Sequence, residues 1–200
     1  MALNDQAVIT ASRGFVFVAD PGTARPTPAQ VKAFDPEIGT MQGWESVGHT
    51  ADDELPEFGY DGGSTEIRGS WQRAALREVV TEVPADYVTV QLLQFDRLAL
   101  GLYYSVTNPG STAGVFAVPD NAGRPIEKAL LIIIVDGGVR VGFHAAKTSI
   151  RRDAAISMDT ENFAALPIRA TFLKGPGDLY EWISDDTGVN PAPAPPAQSG

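Results

Sequence analysis

The sequence predicts a mainly β domain, and three observations carry that prediction. Apolar residues recur with a period near two along most of the chain, which is the period of a strand. The 20 glycines and 15 prolines exceed what a helical domain tolerates and favour short elements joined by turns. β-branched and aromatic residues crowd the alternating runs, where a pleated surface packs them well. A length of 200 residues suits one domain with arms, and 44% hydrophobic content is enough for a sizeable core.

Taken in order, "AVITASRGFVFVA" (residues 7–19) is the first strand and "ADPGTARPTP" breaks it. "TPAQVKAF" then reads as a short helix, with Thr27 as its cap and Pro28 at the first position. Residues 39–63 are glycine-rich, acidic and almost without period; within them only "WESV" (44–47) has strand character. A loop of this length in a compact domain is usually functional or disordered. Residues 64–83 read as one long strand, or two with a bend near Ala74 and Ala75, with polar side chains on both faces. Glu66, Arg68 and Gln72 fall on one face; Thr65, Arg73 and Arg77 fall on the other. An amphipathic helix over 74–83 is the competing reading.

"YVTVQLLQF" (87–95) alternates well and predicts a buried strand. Asp96 caps a helix over "RLALGLYY" (97–104). The stretch from Gly114 to Lys147 reads as a strand, a turn and a hairpin, with the hairpin turn at Asp136 and Gly137. Beyond that turn Val139, Val141, Phe143 and Ala145 share a face. Arg140, His144 and Lys147 lie around the other, which makes His144 a surface or interface side chain. "LPIRATFLK" (166–174) and "LYEWI" (179–183) are the last strands. Residues 187–200, "TGVNPAPAPPAQSG", form a Pro/Ala tail too poor in apolar anchors to fold.

Charge and motifs narrow the chemistry. A net charge of -10 and a pI near 4.6 describe a surface that repels phosphate, so tight nucleic-acid binding is not expected. There is no cysteine, which removes disulfides, thiol nucleophiles and cysteine-ligated metals. The first residues do not form a signal peptide, since Asp5 and Arg13 interrupt them. The longest apolar run, "ALLIIIV" (129–135), is far shorter than the roughly 20 residues a membrane helix takes.

The acidic stretch holds His49 beside Asp52, Asp53, Glu54, Glu57 and Asp61. It lacks the alternating acids of a calcium loop, and no HExxH pattern occurs. Adjacent carboxylates suit water better than the apolar pocket a general acid needs. No nucleophile elbow, Walker loop or GxGxxG is present. These residues point to a role by shape and contact, with no catalytic residue and no cofactor.

Five collinear stretches carry a resemblance. They are "GWESVGHTADDELPEF" (43–58), "DGGSTEIRGSWQ" (61–72), "VQLLQFDRLALGLYY" (90–104), "VDGGVRVGFHAAKTSI" (135–150) and "LPIRATFL" (166–173). Together they resemble the major tail proteins, or tail tube proteins, of long-tailed non-contractile bacteriophages, above all those of mycobacteria and related actinobacteria. The likeness spans roughly residues 7–183.

The resemblance implies a β-sandwich or barrel tail-tube fold over residues 1–186, with one flanking α-helix. It adds an N-terminal arm at 1–6, the long acidic loop at 39–63 and a flexible C-terminal tail at 187–200. It implies self-assembly into six-membered rings that stack as a hollow tube in the virion tail. Double-stranded DNA passes through the lumen without specific binding. Tape-measure, tail terminator and distal tail proteins are the implied partners. The alternative within the same resemblance is another tail-associated sandwich, such as a tail-completion, baseplate or carbohydrate-binding module.

Within that picture, Trp44, Asp52, Asp53, Glu54, Leu55, Phe58, Tyr60 and Asp61 are the expected inter-ring contacts. Glu66, Arg68, Gln72 and Glu82 are the candidates for lining the lumen.

Overall fold

The computed structural model describes residues 7–120, 124–158, 160–186 and 188–189. The arm expected at 1–6, and all of the tail but residues 188 and 189, lie outside them. Ten strands and two helices follow one another among the described residues. They are β1 (Arg13–Ala19), α1 (Pro28–Lys32), β2 (Glu45–Ser46), β3 (Glu57–Asp61), β4 (Thr65–Ser70), β5 (Arg73–Val80), β6 (Ala85–Leu92), α2 (Arg97–Tyr104), β7 (Ile126–Asp136), β8 (Val139–Arg152), β9 (Leu166–Phe172) and β10 (Glu181–Ile183).

Eight strands make one antiparallel sheet in the order β2-β1-β7-β8-β9-β6-β3, with β10 added beside β8. β8, 14 residues long, is the spine. Its first half pairs with β10 and its second half with β9, while β7 runs along the other side. A register shift between Lys128 and Leu130 bends the β7–β8 pair. Val16, Val18, Leu130 and Ile132 from one end of the sheet therefore share a core with Val88, Val90, Leu92, Leu166 and Ile168 from the other. That is a β-sandwich, with α2 packed on it through Ala99, Leu102 and Tyr103. Among the described residues the path ends at β2 and β3, β10 adds a further short edge beside β8, and the sheet does not close into a barrel.

The outer face of β1 and β7 is covered too. Phe17, Leu131, Ile133 and Val135 lie beneath Phe34, Met41 and Trp44. The run "ALLIIIV" is apolar at every position because β7 is buried on both faces. The caps are those the sequence announces. Thr27 and Gln30 form a capping box on α1. The Asp96 carboxylate accepts from the Ala99 N–H at 2.9 Å. Asp96→Ala is expected to lose about 1 kcal/mol, read as a melting temperature lower by roughly 2–4 °C.

Four expectations are corrected. Gly114 to Val118 is a loop folded over α2, with Phe116 beside Tyr104 and the Ala117 N–H bonded to the Pro109 carbonyl, and so has no strand partner. The first strand spans Arg13–Ala19 rather than all of 7–19. The loop at 39–63 contains a real strand, β3, which sequence periodicity hides because an edge strand is exposed on nearly every residue. His144 is buried at 3% exposure instead of lying on the surface. The connection through Thr23 and Trp44 covers the face it points to, and β10 runs alongside.

Candidate assembly surface

Between β3 and β6 the chain leaves the sandwich altogether. Among the described residues β4 and β5 pair only with each other. Every residue of the two strands is exposed except Val79, which is half-buried. The turn falls at Trp71 and Gln72, because Ser70 pairs with Arg73 and its Oγ accepts the Arg73 N–H at 3.2 Å. This places the bend three residues before the expected one at Ala74 and Ala75, and it excludes a helix over 74–83. Gly69 makes the tight return possible. A Cβ there would lie 2.5 Å from the Ala74 carbonyl oxygen and 2.7 Å from that of Arg73.

The register keeps polar side chains on both faces of this arm and shows where its apolar ones lie. Residues directly opposite in an antiparallel pair share a face. Ile67 opposes Glu78 and Thr65 opposes Val80. Leu76, two residues from Glu78, lies on that same face. Ile67, Leu76 and Val80 therefore form an exposed apolar stripe on a face shared with Thr65 and Glu78, which hydrogen-bond to each other at 2.6 Å. The other face carries Glu66 with Val79 and Arg68 with Arg77. Arg68 reaches Glu66 at 3.3 Å, but its cross-strand neighbour is a like charge, which destabilises an isolated pair. Trp71 stands at the tip, wholly exposed. Residues 64–83 hold three Arg and three Glu, so the arm is neutral and the rest of the chain carries all of the acidic excess.

The four lumen candidates divide accordingly. Glu66 and Arg68 share the charged face. Gln72 is in the tip turn, and Glu82 sits at the arm's base, where its carboxylate accepts from the Ser64 hydroxyl at 3.2 Å.

The acidic stretch divides as well. His49 to Ala51 runs along β6, with the Ala51 N–H bonded to the Gln91 carbonyl and the Leu93 N–H to that of His49. β3 then pairs with the other half of β6. Only residues 52–56 swing clear, so Asp52, Asp53, Glu54 and Leu55 form a short exposed excursion from a sheet edge. Such a bulge blunts an edge that would otherwise recruit stray strands. Among the described residues no three His, Asp or Glu side chains gather to hold a metal.

The remaining residues of the set have partners within the subunit. Trp44 packs on the second core and meets the His144 ring edge-on at 5.7 Å. Phe58 stacks on Phe143 at 4.7 Å and Trp182 at 5.4 Å. Asp61 accepts from Arg169 at 2.8 Å, and Arg169 also donates to Asp153 at 2.7 Å. Burial opposes the Arg169 charge, but the Asp153 hydrogen bond and the charges of Asp153, Tyr87 and Asp61 outweigh it and raise its pKa. The guanidinium lies 4.0 Å over the Tyr87 ring. Tyr87 in turn covers Gly59, where a Cβ would come within 2.7 Å of its hydroxyl. Tyr60 remains exposed.

A sandwich with an unpartnered amphipathic arm is what a subunit of an assembly presents. A family model described as phage tail tube protein matches residues 1–196. The chain belongs to the phage tail tube protein family. The chain is 50% identical over 197 residues to the major tail protein Gp23 of Mycobacterium phage D29, covering 96% of this chain and 98% of that one. It is 51% identical over 191 residues to the major tail protein Gp23 of Mycobacterium phage L5, covering 93% and 95%. It is a structural protein of the virion tail.

The acids at 52–54 were legible as an exposed patch. The apolar stripe of Ile67, Leu76 and Val80 was missed because it appears only once the turn is set at Trp71 and Gln72. Gly69, followed by Ser70, was the available signal.

Proposed function

We propose that this tail protein assembles into stacked six-membered rings that form the hollow tube through which phage DNA leaves. The carrying observation is the arm at 64–83, whose strands pair only with each other among the described residues and whose Ile67, Leu76 and Val80 are exposed. An isolated two-stranded hairpin is marginal in water. Its apolar stripe docks on a neighbouring subunit, and its charged face, with Glu66 and Arg68, turns to the water-filled lumen. Gln72 and Glu82 line the same channel at the arm's two ends. The neutral arm meets an acidic body without the repulsion that two acidic surfaces would suffer. Lateral contacts close a ring while axial contacts stay open, so stacking continues until a terminator, distal tail or tape-measure protein stops it.

The excursion at 52–56 supplies the inter-ring contact, with Leu55 as its anchor and Tyr60 and Asp61 at its margin. Trp44 and Phe58 support it from within the subunit. The chain's net charge of -10 makes the subunit as a whole repel phosphate, so DNA slides without tight binding. No catalysis is part of this role.

Sedimentation and electron microscopy of Ile67→Asp test the reading. The variant is expected to melt like the parent yet remain unassembled at concentrations where the parent forms tubes. A parent chain that never assembles, or a variant that assembles normally, contradicts it.

A further inference from the structure

Beside the free edge of β3 the two leaves of the sandwich leave an open cleft of about 190 Å³. Its floor is Phe143, stacked at 4.7–5.5 Å on Phe58, Phe172, Tyr180 and Trp182. Trp182 is 46% exposed and Tyr60 68%, so wide aromatic surface faces water. The polar contact at the rim is the Tyr180 hydroxyl, which donates to Asp86 at 3.1 Å. That hydrogen bond, with desolvation and the Asp86 charge, raises the Tyr180 pKa, so the ring is neutral at physiological pH. A groove of aromatic rings with a tyrosine hydroxyl at its lip is the surface that receives proline-rich chains in extended polyproline form.

The sequence supplies such a chain. Residues 187–200 read "TGVNPAPAPPAQSG", with prolines at 191, 193, 195 and 196 and no charged side chain. Pro193 and Pro196 have the PxxP spacing that puts two proline rings on one side of a three-residue turn. The segment begins four residues after β10, the strand that carries Trp182. A turn follows at once. The Val189 N–H bonds to the Asp186 carbonyl at 3.1 Å, and the Gly188 N–H bonds to the Asp186 carboxylate at 2.8 Å. From Val189, the seven residues to Pro196 reach about 22 Å at 3.1 Å per residue, longer than the roughly 17 Å run of the five-residue β3.

We infer that the aromatic cleft between β3 and β10 seats the chain's own C-terminal Pro/Ala segment, with Pro193 and Pro196 against Trp182 and its neighbours. The seat covers rings that would otherwise present an apolar patch on every free subunit. The inference stands apart from the tube reading, since it concerns a single chain.

The protein has no cysteine, so two introduced ones can pair only with each other. The full-length chain carrying Tyr60→Cys and Ala194→Cys is oxidised under dilute conditions and followed on non-reducing gels. A cross-linked monomer is expected to form at least ten times faster than with Val115→Cys and Ala194→Cys. Adding Pro193→Ala and Pro196→Ala, which lie beyond the last strand, is expected to slow it about ten-fold, as is Trp182→Ala. Cross-linking no faster than the Val115 control, or indifferent to the prolines and to Trp182, overturns the inference. A ladder of cross-linked oligomers with no cross-linked monomer overturns the in-chain seat by assigning the segment to a neighbouring copy.

Discussion

Deleting residues 64–83 is expected to leave a folded subunit that no longer forms tubes. The arm contributes no residue to either core. Its removal leaves Gly62, Gly63 and Pro84 as a three-residue loop between Asp61 and Ala85, which already face each other across the β3–β6 ladder. Three-residue hairpin loops with glycine are common. The melting temperature is therefore expected to change by no more than about 3 °C, since surface changes of this kind fall within about 1 kcal/mol. Assembly is another matter. Burying Ile67, Leu76 and Val80 is worth about 1.5–3 kcal/mol each before ordering costs. Even half of that surplus, at 1.4 kcal/mol per factor of ten, raises the concentration needed for assembly by at least about 40-fold. Sedimentation velocity over a concentration series reads this directly. A deletion variant that assembles at the parent's concentration would remove the arm from the account.

The second large effect is on the fold. Phe143 touches four aromatic rings on three other strands and on the segment before β10. It is 1% exposed, and it joins β8 to both leaves. Phe143→Ala is expected to cost about 3–5 kcal/mol, the lost burial plus the cavity left behind. For a domain of this size that lowers the melting temperature by roughly 10 °C. Phe143→Leu keeps most of the volume and is expected to lose less than half as much. Phe163→Ala is the control, because that ring is 86% exposed and its loss should fall within about 0.5 kcal/mol. Equal melting temperatures for Phe143→Ala and Phe163→Ala would contradict the reading of Phe143 as the joint between the leaves.

The parts of this fold that were legible in the sequence are those where one local signal suffices. Thr27 before Pro28, Asp96 before "RLALGLYY" and Asp136 before Gly137 each mark a boundary by their own chemistry, and the structure keeps all three. The parts that were not legible depend on what covers a face. β3 has no period because one edge lies open, yet Gly59 fits beneath Tyr87 only when the two strands pair. His144 alternates like a surface residue and is buried by a connection more than 100 residues earlier in the chain. The arm's apolar stripe depended on placing one turn correctly, and Ser70 fixes that turn through a hydrogen bond that no periodicity reveals. For the candidate surface, residue types suggested exposure at Asp52, Asp53 and Glu54. Trp44 and Phe58, chosen for their size as anchors, turned out to have ring partners inside the subunit.

The arm at 64–83 is proposed to lie between subunits. A cryo-electron microscopy map of tubes grown from the purified chain tests it most directly. Six copies per ring are expected, with Ile67, Leu76 and Val80 of each arm covered by a neighbouring copy and Glu66 and Arg68 facing the lumen. A tube in which the arm's apolar stripe faces solvent would contradict it.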